Sequence, residues 1–199
     1  MKTSFPCFAL VGALLSILAL PVGAALKEGD VAPNFEARAS LAGKAFTYSL
    51  KTALSKGPVV LYFYPSAYTT GCNLQAHTFA EQYDRFVAAG ASVIGVSLDS
   101  IARLNEFSAD PDYCAGKLAV ASDVDGRISR AYDLTVRERS AGRKDTRGVD
   151  IDHASVERVT YVLTSDGKVA ATIGGVAPVA NVERALETVQ RLAAGRSPQ

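Results

Sequence analysis

Residues 59–64, Val-Val-Leu-Tyr-Phe-Tyr, form an unbroken β-branched and aromatic run, the pattern of a strand that is buried on both faces. Pro65 closes it, because proline has no N–H for a ladder and a fixed φ. The small, polar stretch 66–71 suits a loop. Beyond it Phe79, Tyr83, Phe86 and Val87 recur at i, i+4, i+7 and i+8, one apolar face of an amphipathic helix. Cys72 falls at the join, in the first turn of that expected helix. Unpaired backbone N–H groups and the positive end of the helix dipole favour a thiolate there. Thr69 or Thr70 is the expected N-cap, with a hydroxyl left to face whatever approaches the sulfur. The residue type alone also allows a buried structural cysteine.

A chain of 199 residues, 48% of them hydrophobic, can build one well-cored domain. Residues 1–24 read as a secretory signal peptide, the other reading being an uncleaved anchor. Lys2 supplies the basic start, the apolar run 8–20 is 13 residues long, and Val22-Gly23-Ala24 offers a small-residue cleavage site. Cys7 leaves with that segment, and no lipobox ends in it. The domain is then 25–199, with Lys2 lost from 21 basic residues, so that 20 bases face 20 acids. A formal charge of zero points to neither nucleic acid nor an anionic membrane as partner. Export implies a periplasmic or secreted protein in an oxidising compartment, where Cys72 and Cys114 are the two thiols left to pair.

Further elements follow in alternation. Ala42-Gly43-Lys44 reads as a turn between two short strands, and 52–56 as a short helix ended by Gly57-Pro58. Ala89-Gly90 is a C-cap, 93–98 a second buried strand, and Asp99-Ser100 the cap of a helix over 101–107. Asp110-Pro111-Asp112 breaks that helix and leaves Cys114 in an irregular segment that is accessible enough to move. A brief strand over 118–120 and a helical turn over 128–132 come next. Between them Asp123-x-Asp125-Gly126 lacks the glutamate that a calcium loop requires. The polar stretch 137–153 has no apolar periodicity and reads as an exposed, mobile loop. A hairpin turns at Ser165-Asp166-Gly167. A last helix follows Pro178 with Asn181 as its N-cap, and 195–199 should fray. Strands alternating with helices, then a hairpin and a final helix, give an α/β domain of three layers.

Pro65-x-x-x-Thr69-x-x-Cys72 resembles the active-site signature of peroxiredoxins, thiol peroxidases with a thioredoxin-like fold: a central mixed sheet with helices on both faces. The words Tyr-Phe-Tyr-Pro and Thr-x-Gly-Cys look most like the peroxiredoxin Q branch, also called bacterioferritin comigratory protein. Gly29-Asp30-Val31-Ala32-Pro33-Asn34-Phe35 is similar to the segment that opens such domains. Arg158-Val159-Thr160-Tyr161 matches the family's Arg-x-Thr-Phe-like word. The resemblance implies that Cys72 attacks the peroxide and becomes a sulfenic acid. Thr69 would bond the incoming peroxide, Pro65 would cover the thiolate, and Arg158 would stabilise sulfur and oxygen together.

His77 stands where many members of the branch carry a resolving cysteine, five residues after the first. Cys114, 42 residues on, lies in the region that other members use. A disulfide between Cys72 and Cys114 would need local unfolding, and an external dithiol protein of thioredoxin type would reduce it. Hydroperoxides are the implied substrates, with no cofactor and no metal. His77 and His153 could join the two cysteines around zinc, but no close ligand pair supports that. The competing readings are an exported thioredoxin-fold disulfide oxidoreductase, which normally needs Cys-x-x-Cys, and a non-catalytic module of the same fold. Monomer and dimer both stay open.

Overall fold

The computed structural model describes residues 25–195. The expected signal peptide at 1–24 and the chain end at 196–199 lie outside them. Two strands, β1 (Glu36–Leu41) and β2 (Lys44–Ser49), form a hairpin, and the helix α1 (Leu50–Leu54) follows directly. Then come β3 (Val59–Phe63), α2 (Thr70–Ala88), β4 (Ser92–Ser97), α3 (Ile101–Ala109), β5 (Ala119–Ser122) and α4 (Arg127–Ala131). The two-residue strands β6 (Val136–Arg137) and β7 (Ser155–Val156) pair with each other. The chain closes with β8 (Val159–Leu163), β9 (Val169–Gly174) and α5 (Pro178–Ala194). Seven strands make one sheet in the order β2-β1-β5-β4-β3-β8-β9. β3, β4 and β5 run parallel, while β8 lies antiparallel against β3. Among the described residues no helix is long and apolar enough to cross a membrane.

The unbroken apolar run of β3 is explained by its central place, because each residue feeds one of two cores. Val60, Tyr62 and Tyr64 pack with Phe79 and Phe86 of α2, Leu104 and Phe107 of α3, and Val182 and Leu186 of α5. Val59, Leu61 and Phe63 point the other way, to Leu50, Ile128 and Tyr132. The Tyr62 ring stacks on Phe79, with centroids 4.6 Å apart, and also lies across Gly95 of β4. A Cβ on Gly95 would sit 2.5 Å from the ring of a side chain that has no room to turn. Gly95→Ala is therefore expected to cost about 1–3 kcal/mol, as overpacked cores do. Urea unfolding should show a lower midpoint at unchanged slope.

Several expectations shift. The short helix begins at Leu50 rather than at 52, and α3 extends to Ala109 with the Ser100 hydroxyl accepting from the Arg103 N–H. Phe79 and Phe86 are buried and Tyr83 is half-buried, but Val87 lies half in solvent at the end of its face. α5 starts at Pro178 with Ala177 as N-cap, so Asn181 sits inside the helix. Proline is favourable at a first helical position, where its missing N–H would have been unpaired anyway. Gly126 is the N-cap of α4, and the Asp123 carboxylate three residues before it accepts from the Ile128 and Ser129 N–H groups at 2.9 and 2.8 Å. Stretch 137–153 is not the free loop expected. Asp145 and Ile151 are buried, His153 is largely so, and Lys144 bridges Asp150 in extended pairing.

Candidate active site

Cys72 is the third residue of α2, whose N-cap is Thr69 in extended conformation. The Thr69 carbonyl accepts from the N–H groups of Cys72 and Asn73, at 2.9 and 2.8 Å, which closes the first turn. The Thr69 hydroxyl does not cap the helix as expected. It donates instead to the Ser66 carbonyl at 2.9 Å, within the loop that leads into α2. Pro65 is half-buried just beyond β3, and Cys72 itself is only 2% exposed.

Arg158, between β7 and β8, reaches the sulfur. Its Nη2 lies 3.3 Å from Cys72 Sγ, across a sequence separation of 86 residues. The route exists because β8 pairs with β3, which brings the start of β8 beside the end of β3 where α2 begins. Gly71 leaves space for it: a Cβ there would meet Nη2 at 3.2 Å. The other end of the guanidinium, Nη1, donates to Gln75 Oε1.

Gln75 continues the network inward. Its Nε2 donates to Asn181 Oδ1 at 2.9 Å, and the Thr160 hydroxyl donates to the same oxygen at 2.6 Å. Asn181 Nδ2 donates to the Ile173 carbonyl at 3.0 Å. A carbonyl only accepts and a guanidinium only donates, so the two ends of this chain dictate both amide orientations. Buried polar groups matched in this way hold one another rigidly, and Arg158 is held with them. Sequence reasoning gave no site role to Gln75 or Asn181 and read Thr160 only as part of the word that begins at Arg158. The available signals were Gln75 one turn after Cys72 on the same helix face, and Asn181 on the apolar stripe of α5.

Cys114 is fully buried, which corrects the expectation of an accessible thiol. It lies between α3 and β5, where Ala115 and Gly116 both take left-handed conformations. Burial pushes its thiol well above the ordinary range, and the charge of Asp110 adds to this. Cys72 and Cys114 are both free thiols and belong to the same apolar cluster. Tyr62 belongs to that cluster too. Burial raises its phenol well above the ordinary value, and the charges of Cys114 and Cys72 raise it further. His77 Nδ1 faces the Asp112 carbonyl at 3.0 Å and its Nε2 pairs with Glu81 at 3.3 Å, so it ties α2 to the segment before Cys114. A groove of about 630 Å³, lined by Phe46, Tyr48, Lys56, Tyr83 and Lys117 among others, contains none of these site residues.

The arrangement joins a thiol at a helix N-terminus with a fixed cation, donors suited to negative charge growing on an attacked or departing atom. Comparisons with known proteins agree. The sequence profile of the AhpC/TSA family matches residues 29–172. A putative peroxiredoxin Bcp of Helicobacter pylori is 27% identical over 164 residues, 82% of this chain and 98% of the relative. Peroxiredoxin Q of rice chloroplasts is 43% identical over 82 residues, 41% of this chain and 36% of the relative. The crystal structure of peroxidoxin BcpB from Mycobacterium tuberculosis superposes with a TM-score of 0.69 at 27% identity, covering 84% of this chain and 98% of that one. The mixed sheet between helices is thus the thioredoxin-like fold of these proteins. The chain belongs to the AhpC/TSA family: it is a peroxiredoxin, a thiol peroxidase most like the peroxiredoxin Q and Bcp branch.

Proposed function

We infer that the protein reduces hydrogen peroxide and small organic hydroperoxides through Cys72. The thiolate attacks one peroxide oxygen, the O–O bond breaks, and a sulfenic acid forms as water or an alcohol leaves with a proton. Arg158 stabilises the thiolate and then the charge on the departing oxygen. Thr69 bonds the incoming peroxide, and Pro65 shields the sulfur from bulk water. The burial of Cys72 favours small substrates. One observation carries the reading: Arg158 Nη2 at 3.3 Å from a sulfur in the first turn of a long helix.

Cys114 resolves the sulfenic acid by attacking Cys72 Sγ, which forms a disulfide and releases water. Support comes from the buried apolar cluster to which both sulfurs belong. Because Cys114 is buried and its thiol is held protonated, the segment after α3 must open before it reacts. A thioredoxin-type dithiol then reduces the disulfide. Residues 1–24 direct export, so the chemistry takes place in the periplasm or outside the cell.

Coupled turnover with thioredoxin, thioredoxin reductase and NADPH tests the whole cycle, and absence of peroxide-dependent NADPH loss would refute it. Cys114→Ser is expected to leave the first oxidation of Cys72 as fast as in the wild type and to stall recycling by thioredoxin. Mass spectrometry of peroxide-treated wild type should show a peptide pair linked through residues 72 and 114. A peroxide-oxidised protein without that link would remove Cys114 from the cycle. N-terminal sequencing of protein from the periplasm or medium should begin after residue 24.

A further inference from the structure

Asp99, fully buried between β4 and α3, accepts hydrogen bonds from several elements at once. Its Oδ2 takes the Ala67 N–H at 2.8 Å and the Ser97 hydroxyl at 2.7 Å. Its Oδ1 takes the Ser66 hydroxyl at 3.1 Å, Arg103 Nε at 2.9 Å and His153 Nε2 at 2.9 Å. Ser66 and Ala67 belong to the loop that delivers Thr69 and Cys72. The carbonyls of that loop are claimed as well: Ser66 by the Thr69 hydroxyl, Ala67 by Arg103 Nη2 at 2.9 Å, and Tyr68 by the N–H and hydroxyl of Thr146 at 2.8 and 2.9 Å. Tyr68 has a φ of +60°, a conformation that a bulky residue keeps only where its surroundings impose it. Thr146 and His153 both lie in the stretch 138–154, so that stretch is strapped across the approach to α2.

The His153 ring shows how the strap is fastened. Nδ1 faces the Ala154 carbonyl at 2.6 Å, while Nε2 faces Asp99 Oδ1. The Ala154 carbonyl and the Asp99 carboxylate only accept, so the doubly protonated ring is the form that satisfies both contacts. The charged groups around it are Asp99 from the β4–α3 junction and Arg103 from α3. Asp145 of the same stretch stands behind Arg103 at 2.8 Å, and the β3–α2 loop presents only the Ser66 hydroxyl, 3.3 Å from Nε2. Burial opposes the charge on His153, but the hydrogen bond and charge of Asp99 and the Ala154 carbonyl outweigh burial and Arg103. They hold the ring above its ordinary value.

We propose that His153, as an imidazolium bound to Asp99, is a positioning residue that clamps the 138–154 stretch over the Ser66–Thr69 loop and so sets the Thr69 hydroxyl and the first turn of α2 for peroxide. The proposal rests on the assignment of Cys72 as the attacking thiol. Because the folded value of His153 is raised, the clamp is complete below the ordinary histidine range and is lost as pH rises through the folded value. A neutral ring would leave one lone pair against an oxygen acceptor, and the strap would slacken.

The rate of Cys72 oxidation by hydrogen peroxide, read by rapid quenching, alkylation and mass spectrometry across pH, tests this. Wild type is expected to show a falling limb above the ordinary histidine range. His153→Gln should lose that limb and react about tenfold more slowly on the plateau, as small misplacements of reacting groups do. In parallel, ¹⁵N NMR of the wild-type imidazoles, with His77→Gln for assignment, should find His153 doubly protonated at pH 7 and titrating at the midpoint of the limb. A variant with wild-type rate and profile overturns the proposal, and so does a uniform slowing that keeps the limb. If His153→Gln does not fold, the wild-type comparison decides: coincident midpoints support the clamp, and a ring neutral at pH 7 overturns it. Wild type that leaves peroxide unreacted at every pH would instead refute the peroxidase assignment itself.

Discussion

Cys72→Ser is expected to bring peroxide consumption down to the uncatalysed background while the fold stays intact. A serine hydroxyl does not ionise near neutral pH and is a poor nucleophile toward an O–O bond, whereas a thiolate is a strong one. Nothing nearby can take over. Cys114 is fully buried and its thiol is pushed up by burial, so it holds almost no thiolate at neutral pH. Removing one sulfur leaves the Arg158–Gln75–Asn181 network complete, so thermal unfolding should change little. Peroxide loss with excess dithiothreitol, followed alongside circular dichroism melting, checks both halves. A folded Cys72→Ser protein that still consumed peroxide catalytically would place the chemistry elsewhere.

Arg158→Met is expected to slow the oxidation of Cys72 by about 10²–10³-fold, equivalent to about 2.7–4 kcal/mol, the usual effect of removing one donor aimed at developing charge. Methionine keeps much of the aliphatic volume but loses both contacts, Nη2 to the sulfur and Nη1 to Gln75. Gln75 Oε1 is then left without its donor, which costs about 1–3 kcal/mol of stability on its own. The variant should therefore be slower and also unfold at lower urea concentration. Arg158→Lys should recover only part of the rate, because a single ammonium on a flexible stem cannot hold the sulfur and the amide together. A rate within threefold of wild type for Arg158→Met would mean that the guanidinium plays no part in the chemistry.

Legibility of this site depended on how local each determinant was. The run at β3, its stop at Pro65 and the cysteine opening α2 lie in consecutive residues, and periodicity with proline chemistry is enough to read them. Arg158 was found through a short word rather than through any contact. Gln75 and Asn181 were not found, because their pairing spans 106 residues and neither is unusual beside its sequence neighbours. Asn181 reads as a cap because a proline marks a helix boundary without saying on which side the helix lies, and here Pro178 is the first helical residue. Stretch 137–153 looked like free loop for a related reason. Its anchors are polar and charged residues such as Asp145, Thr146 and His153, and such a residue in a polar stretch gives no hint of the partner waiting elsewhere in the chain.

The sequence by itself determined the order of the main strands and helices, though not the short pair β6 and β7, together with the family and the place of one sulfur at a helix start. These follow from side-chain periodicity, backbone stereochemistry and short words read along the chain. Only the tertiary structure decided that Arg158 touches that sulfur, that an amide chain steadies it, and that Cys114 is sealed in the core. It alone also revealed His153 locked onto Asp99, 54 residues away. Such contacts are made by the stacking of strands and helices into layers, and their geometry exists only once the sheet has closed.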